Sequence, residues 1–421
     1  MDLELKEIEK AAERLKSIIY PTNLTRSQTF SAITGGDIYL KPENLQKTGS
    51  FKIRGASNKI AKMLENGDRS PVVASSAGNH AQGVAYAAAK LGILSTVVMP
   101  KTAPIAKIEA TKNYGANVVL YGSCYDDAYE KACELCREQN AEFIHPYNDP
   151  DVIAGQGTIG IEILKELPDA DIVFVPAGGG GLLAGVSCAI KKLNPNVRVY
   201  GVQAKRADAI AESFQKGEKV KTETTDTIAD GIAVKNPGDV PLELIRRYTD
   251  GILTVSEEEI AGAVLLLMER CKSVAEPAGA ASVAAALSGQ IDLKGKKVVC
   301  LLSGGNIDFT LTGRLINYAL ASKDRIAEIY ILLSSNPDGL KKVVDIITEN
   351  RGNIEDIQYD LSACFILPNQ KQYYIKFLTD GEEQFRLIVD KLKEICLSVV
   401  TTRELTQTYT QAVLSGKEER P

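Results

Sequence analysis

The chain has 421 residues, enough for two or three domains around a large core. It is 44% hydrophobic and 24% charged, the balance of a globular protein, and a net charge of −5 without a basic run argues against nucleic acid as a partner. No apolar run approaches the roughly 20 residues that span a bilayer, and the start, Met1-Asp2-Leu3-Glu4-Leu5-Lys6, is a charged helical pattern rather than a signal peptide, so a cytoplasmic protein with no membrane partner is expected.

Apolar residues recur at helical spacing from Leu3 to Ile19. A short strand over Asp37 to Leu40 then runs into Lys41-Pro42-Glu43-Asn44, and Gly49-Ser50 opens a helix, with Ser50 as its expected N-cap. Lys52 falls in the first turn of that helix. A cation there sits at the unfavourable end of the helix dipole, and burial would disfavour its charge further. A lysine pushed toward the neutral amine can form a Schiff base and act as a base.

From there short β-branched runs alternate with helical stretches. The strands are Val72 to Ser75, Thr96 to Met99, Asn117 to Tyr121, Phe143-Ile144, Ile172 to Pro176, Val197 to Val202, Leu253 to Val255 and Lys297 to Leu302. The helices between them are Gly78 to Lys90, Ile105 to Asn113, Tyr125 to Glu138, Val152 to Lys165, Gly181 to Lys192, Ala207 to Gln215 and Glu257 to Cys271, with a last one reaching Leu320. Alternation of this kind predicts parallel sheets covered on both faces. The strands are too many for one ordinary sheet, so two α/β lobes with a cleft between them are expected. Ala321-Ser322-Lys323-Asp324 reads as a hinge, set at 322–325 in the division into domains. Beyond it the order is strand Ile326 to Leu333, helix Pro337 to Glu349, strands Ile354 to Leu361 and Tyr373 to Leu378, helix Glu383 to Glu394, and a strand near Ser398 to Thr401. This βαββαβ order predicts a small α+β ferredoxin-like domain over 326–401, followed by a tail over 402–421 that frays from Ser415.

Eight cysteines are scattered, and only Cys133-x-x-Cys136 is closely spaced. It lies in a helical pattern without a second pair, so no metal site is expected. Cys188 and Cys300, in apolar company, read as reduced core residues.

Three turns carry chemistry. Ile172 to Pro176 runs into Ala177-Gly178-Gly179-Gly180-Gly181-Leu182, a strand, a glycine turn and a helix start, whose backbone N–H groups suit a phosphate. The Gly179-x-Gly181-x-x-Ala184 spacing also satisfies the dinucleotide fingerprint. The next strand ends in Gln203-Ala204 without the acid that fingerprint needs, which favours a small phosphate. Gly155-x-Gly157-x-x-Gly160 follows no strand and is set aside. Ser75-Ser76-Ala77-Gly78-Asn79-His80 is a second strand-to-helix turn, whose small residues suit a carboxylate and whose Asn79 offers an amide; Ser76 and His80 could also be simple capping residues. With His80 and His145 as the only histidines, no Ser-His-Asp pattern is evident. Leu302-Ser303-Gly304-Gly305-Asn306 closes the last strand of the large region, where Ser303 offers a hydroxyl to a ring nitrogen or caps the following helix.

Taken together, Lys41-Pro42-Glu43-x-x-Gln46-x-Thr48-Gly49-Ser50-Phe51-Lys52-x-Arg54-Gly55-Ala56, Ser75 to Gly83, the four glycines and Ser303-Gly304-Gly305-Asn306 resemble the threonine dehydratases (threonine ammonia-lyases), fold-type II pyridoxal-phosphate enzymes. The resemblance covers about Ile18 to Ala321, and the C-terminal part resembles the single ACT-like regulatory domain of biosynthetic forms, where longer forms carry two. It implies a catalytic region over 1–321 and pyridoxal 5'-phosphate as cofactor. It also implies Lys52 as the Schiff-base lysine with Phe51 beside it, Asn79 on the ring oxygen, Gly178 to Gly181 with Leu182 on the phosphate, Ser303 at the ring nitrogen, and Ser75, Ser76, Ala77, Gly78 and Asn79 around the substrate carboxylate. The implied reaction converts L-threonine to 2-oxobutanoate and ammonia, the first step of isoleucine biosynthesis, and acts on L-serine as well, with isoleucine and valine as effectors of a homotetramer. A serine at the ring nitrogen cannot protonate it as an acid would, which suits elimination and limits transamination. The rival readings are a catabolic serine/threonine dehydratase or serine racemase, a synthase adding a nucleophile to the same intermediate, and an amino-acid sensor without catalysis. The C-terminal module argues against most of the first group, and the presence of Lys52 and Ser303 argues against the sensor.

Overall fold

The computed structural model describes residues 2–359, 366–405 and 408. Contacts divide these residues into two units, with the division between Phe309 and Thr310. In the first unit the strands are β1 (Thr25–Arg26), β2 (Asp37–Pro42), β3 (Val72–Ser75), β4 (Ser95–Met99), β5 (Asn117–Leu120), β6 (Glu142–Phe143), β7 (Ile172–Pro176), β8 (Arg198–Ala204), β9 (Gly251–Val255) and β10 (Lys297–Leu302). They form two sheets. One has the order β5-β4-β3-β6 and is parallel throughout. The other has the order β1-β2-β10-β7-β8-β9 and is parallel except for β1, which runs antiparallel along the edge of β2. The two α/β lobes expected from the alternation are these two sheets with their helices.

Every residue of β7 is buried, the mark of a strand covered on both faces. Strand β2 pairs along its whole length with β10, from Asp37 opposite Lys297 to Pro42 opposite Leu302. The exits of these strands, toward Lys52 and Ser303, therefore lie side by side.

Helix packing explains the Gly155-x-Gly157-x-x-Gly160 pattern. These glycines lie on the helix Pro150–Glu166, which packs against the helix Gly181–Leu193. A Cβ at Gly157 would stand 2.9 Å from the Gly185 carbonyl oxygen, and one at Gly185 would stand 2.3 Å from that of Ile153. Gly157 and Gly160 thus serve close approach to the helix Gly181–Leu193, and Gly155 close approach to the helix Lys52–Glu65, where its Cβ would stand 2.6 Å from the Arg54 carbonyl oxygen.

Several boundaries differ from the expected ones. The first helix is Leu5–Leu15, shorter than the pattern from Leu3 to Ile19. Ser50 does not cap the Lys52–Glu65 helix: Phe51 is the N-cap, and the Ser50 hydroxyl is buried with no partner among the described residues. The helix expected from Glu257 to Cys271 is α-helical to Leu266 and then widens to a π-turn over Leu267–Cys271, closed by Lys272 at φ +54°. The helices Gln28–Thr34, Asp239–Tyr248 and Pro277–Leu287 were not expected. The last of these is small and apolar on all sides and almost wholly buried, so no polar face marks its period.

In the second unit β11 (Ile326–Ser334), β12 (Asn353–Tyr359), β13 (Gln370–Leu378) and β14 (Ser398–Thr401) form an antiparallel sheet of order β12-β13-β11-β14. The helices Gly339–Glu349 and Glu382–Ile395 complete the βαββαβ order. The buried residues of β11 alternate, and Ile329, Ile331, Ile375 and Phe377 pack with Val343, Ile347, Ile388 and Leu392 of the helices. Leu361, the expected end of β12, and the tail from Ser415 lie outside the described residues. Among the described residues no helix is long and apolar enough to cross a membrane.

Candidate active site

The chemistry-bearing turns gather at the carboxyl ends of parallel strands, where open α/β sheets bind ligands. Strand β2 leaves through the 3-10 turn Glu43–Leu45 and reaches Lys52, the first residue of its helix. This connection is stitched to the exit of β10. Phe51 N donates to the Ser303 carbonyl at 3.1 Å, Gly305 N donates to the Gly49 carbonyl at 2.9 Å, and Ser50 bridges Gly304. The helix that follows begins at Phe309, so Ser303 does not cap it.

A buried ionic cluster anchors the same connection from below. Arg54 is fully buried, and its guanidinium grips Glu43 with two bonds of 2.8 Å and Glu162 with bonds of 2.6 and 2.8 Å. Lys41 Nζ, also buried, donates to Glu162 at 2.7 Å and to the Thr22 carbonyl at 2.6 Å. With Glu166 3.6 Å from Lys41, two cations face three anions, and Glu43 and Glu162 hold the Arg54 pKa above its already high ordinary value despite the opposing pull of burial. Lys41, Glu43 and Arg54 of the long motif therefore fix the lysine-bearing segment and do not face a ligand.

Lys52 Nζ donates to the Pro146 carbonyl at 2.9 Å. Burial lowers its pKa to about 8, against the pull of Glu276, which favours the charged form. The two histidines nearby stay neutral. Burial, reinforced by the Lys52 charge, brings His80 down to about 3 and His145 down to about 4. His80 Nε2 lies 2.8 Å from the Ile144 carbonyl and, as that oxygen only accepts, carries the proton.

Asn79 opens the helix after β3 and is held at both ends of its amide. Asn306 Nδ2 donates to Asn79 Oδ1 at 2.8 Å, and Asn79 Nδ2 donates to Glu276 Oε1 at 2.7 Å. Burial and then Asp230 raise the Glu276 pKa to about 7, against its bond from Asn79 and the charges of Lys107 and Lys52. Gly304 makes room for this carboxylate: a Cβ there would stand 2.4 Å from Glu276 Oε1. In the turn before Asn79, Ser76 Oγ accepts from Gly78 N at 3.2 Å, and Ser75 Oγ is buried with no partner among the described residues.

The glycine turn is a cradle. A Cβ at any of Gly178, Gly179, Gly180 and Gly181 would come within 2.4–2.9 Å of a neighbour. Gly180 at φ +96° turns the chain into the helix Gly181–Leu193. Among the described residues, the N–H groups of Gly178, Gly179 and Gly180 donate to no backbone carbonyl. Those of Gly181 and Leu182 are the free donors of a helix start. Five open donors on a turn without side chains fit a phosphate. Tyr147 joins this turn to the lysine: it would touch a Cβ at Gly179 or Gly181, and its neighbour Pro146 receives the Lys52 bond. A proton-poor amine, an amide donor and a phosphate cradle together fit pyridoxal phosphate.

The pyridoxal-phosphate dependent enzyme family matches residues 15–304. The chain belongs to that family. Its cofactor is pyridoxal phosphate. The chain is 50% identical to the L-threonine ammonia-lyase of Thermotoga maritima over 361 residues, which is 86% of this chain and 90% of that protein. It is 47% identical to the L-threonine dehydratase catabolic TdcB of Escherichia coli strain K12 over 320 residues, 76% of this chain and 97% of that protein. Among solved structures, the processed form of threonine deaminase isoform 2 from Solanum lycopersicum superposes with a TM-score of 0.72 at 35% identity, over 75% of this chain and 93% of that one.

Within this family member the structure brings Lys52, Phe51 and Ser303 onto one seam, sets Asn79, which follows the Ser75–Gly78 turn, beside Glu276, and links the glycine cradle through Tyr147. Sequence reasoning missed Glu276, Pro146 and Tyr147. Glu276 had a signal: an acid directly before Pro277, the N1 proline of a helix, is a helix start.

Proposed function

We propose that this chain is an L-threonine ammonia-lyase that converts L-threonine to 2-oxobutanoate and ammonia and also accepts L-serine. The observation that carries this reading is the extent of the match to the Thermotoga enzyme. Its 361 aligned residues exceed the 309 of the first unit by 52, whereas the 320 aligned with the catabolic Escherichia coli enzyme, nearly all of that protein, exceed it by only 11, so the similarity to the Thermotoga enzyme reaches further into the second unit. This difference favours a biosynthetic, regulated form. Bound pyridoxal phosphate supplies the electron sink for charge developing on the substrate α-carbon.

In this proposal Lys52 holds the cofactor and its amine, once free, takes the α-proton; a pKa near 8 suits a base working near neutral pH. Phe51 flanks the cofactor, its ring centroid 5.2 Å from Lys52 Nζ. Asn79 would bond the ring oxygen, Ser303 would face the ring nitrogen, and the N–H groups of Gly178, Gly179, Gly180, Gly181 and Leu182 would bind the phosphate. Ser75, Ser76, Ala77, Gly78 and Asn79 receive the substrate carboxylate, with the unpartnered Ser75 hydroxyl as the supporting observation. The β-hydroxyl leaves as water, taking up the equivalent of the proton removed from the α-carbon, and hydrolysis of the released enamine consumes one water to give 2-oxobutanoate and ammonia.

Residues 1–321 are assigned to catalysis, 322–325 to a hinge, 326–401 to an ACT-like regulatory domain and 402–421 to a tail. Isoleucine inhibits and valine opposes it through that domain, in a homotetramer. An effector acts this way only by binding one of two states more tightly, a coupling of about 1–3 kcal/mol. The test is keto-acid formation by the full chain from L-threonine and L-serine, with and without millimolar isoleucine and valine. Threonine turnover lost in Lys52→Ala and lowered by isoleucine in the parent is expected. No keto acid from either substrate sinks the lyase assignment, and indifference to both effectors sinks the regulatory one.

A further inference from the structure

The last motif of the large region ends on Asn306, and neither the lysine nor the glycine turn gives it a role. Its half-buried side chain lies close against Gly49: a Cβ there would stand 2.3 Å from Asn306 Oδ1. Asn306 Nδ2 donates to the Thr48 carbonyl at 2.8 Å and to Asn79 Oδ1 at 2.8 Å. A backbone carbonyl only accepts, so the Asn306 atom facing Thr48 is the nitrogen. The Asn79 atom facing that nitrogen is then the oxygen. The other end of the Asn79 amide, its NH2 group, meets Glu276 Oε1 at 2.7 Å. An NH2 has two hydrogens, and Glu276 takes one.

We propose that Asn306 and Glu276 are positioning residues that pin the Asn79 amide in one orientation, so that its second hydrogen is aimed at the ring oxygen of pyridoxal phosphate and holds that oxygen as an acceptor. The proposal rests on the reading of Asn79 as the ring-oxygen ligand. Chemically, the chain of bonds runs one way, from Asn79 NH2 toward Glu276 and from Asn306 NH2 toward Thr48 and Asn79. Reversing the amide would leave Asn306 Nδ2 against an NH2 and Glu276 against a carbonyl oxygen, two repulsive pairs. Glu276 is 5% exposed, and the charged groups around it are Asp230 of the 3-10 turn Asp230–Ile232, Lys107 of the helix Ile105–Asn113 and Lys52. A protonated Glu276 keeps an accepting oxygen for Asn79 but gains a donor as well, and the orientation is then fixed by Asn306, whose Nδ2 is held by the Thr48 carbonyl.

The experiment measures the binding of two cofactors to the full-length protein freed of cofactor, by equilibrium dialysis: pyridoxal phosphate, and the 3-deoxy analogue that lacks the ring oxygen. The variants are Asn306→Asp, which keeps the shape and loses the donor, and Glu276→Gln, which keeps the shape and lets the neighbouring amide face either way. Asn306→Asp is expected to weaken pyridoxal phosphate about tenfold or more, and Glu276→Gln about threefold, with the analogue unchanged within about twofold in both. Equal losses for the two cofactors would make the residues merely structural and overturn the proposal, as would no loss for either. If Asn306→Asp does not fold, as judged by circular dichroism, Glu276→Gln decides by the same ratio. A parent chain that does not bind pyridoxal phosphate would instead sink the functional reading, and the two failures are thereby distinct.

Discussion

Lysine amines attack an aldehyde only in the unprotonated form, so the depressed pKa of Lys52 sets the pH at which the cofactor-free protein captures pyridoxal phosphate. An ordinary lysine titrates at 10.5, and burial brings Lys52 to about 8. At pH 7.5 roughly one ordinary lysine in a thousand is neutral, against about a quarter of Lys52 amines, a gain of about 200-fold in reactive species. The sign follows from the cause. Burial penalises the cation, so the neutral amine prevails above pH 8, and the capture rate climbs to that point and then levels. Removing the Glu276 charge with Glu276→Gln removes the force that raises the Lys52 pKa, so the plateau should begin at lower pH. Stopped-flow absorbance on mixing cofactor-free protein with pyridoxal phosphate from pH 7 to 10 checks this, above the phosphate titration near pH 6. A rate that keeps rising about tenfold per unit to pH 10 would show that Lys52 titrates as a solvated lysine, and the electrostatic reading of the site would be wrong.

Glu43→Gln leaves the shape of the Arg54 cluster and removes the one fully buried carboxylate of the two that grip Arg54, leaving Glu162 to serve both Arg54 and Lys41. Thermal or urea unfolding of the first unit should show a loss of about 3–5 kcal/mol, and a loss under about 1 kcal/mol would mean water reaches the cluster. Gly185→Ala puts a Cβ 2.3 Å from the Ile153 carbonyl and should cost about 1–3 kcal/mol. The same change at Gly313, an exposed helical position with nothing within 4 Å of the added Cβ, should instead stabilise by up to about 1 kcal/mol, and equal effects at the two sites in parallel melts would refute the packing account.

Much of the fold was legible because its strands are buried on both faces. Val72–Ser75, Ile172–Pro176 and Lys297–Leu302 are continuous apolar runs bounded by polar or glycine turns, and they fall where the sequence predicts. Beyond the Glu276-Pro277 start signal, Pro277–Leu287 had no legible period, for the same physical reason turned round. A helix buried on every side has no polar face, and Pro-Ala-Gly-Ala-Ala-Ser-Val-Ala-Ala-Ala-Leu carries no 3.6-residue period. With that helix the acid at its start, Glu276, also went unseen. In the Lys41 to Arg54 motif the sequence marked the right segment. It did not separate Lys52, which faces Pro146 and Glu276, from Arg54 two residues later, which faces Glu43 and Glu162.

Local patterning thus determined by itself the alternation of strand and helix and the change from parallel sheets to an antiparallel C-terminal sheet. Each depends on residues near one another in the chain. Tertiary structure alone decided that β2 lies against β10, about 260 residues later, and that Asn306 and Glu276 both reach Asn79. The pKa values of Lys52 and Glu276 belong to this second group. They follow from burial and from charges that only the folded chain brings within range, and a linear sequence does not specify either.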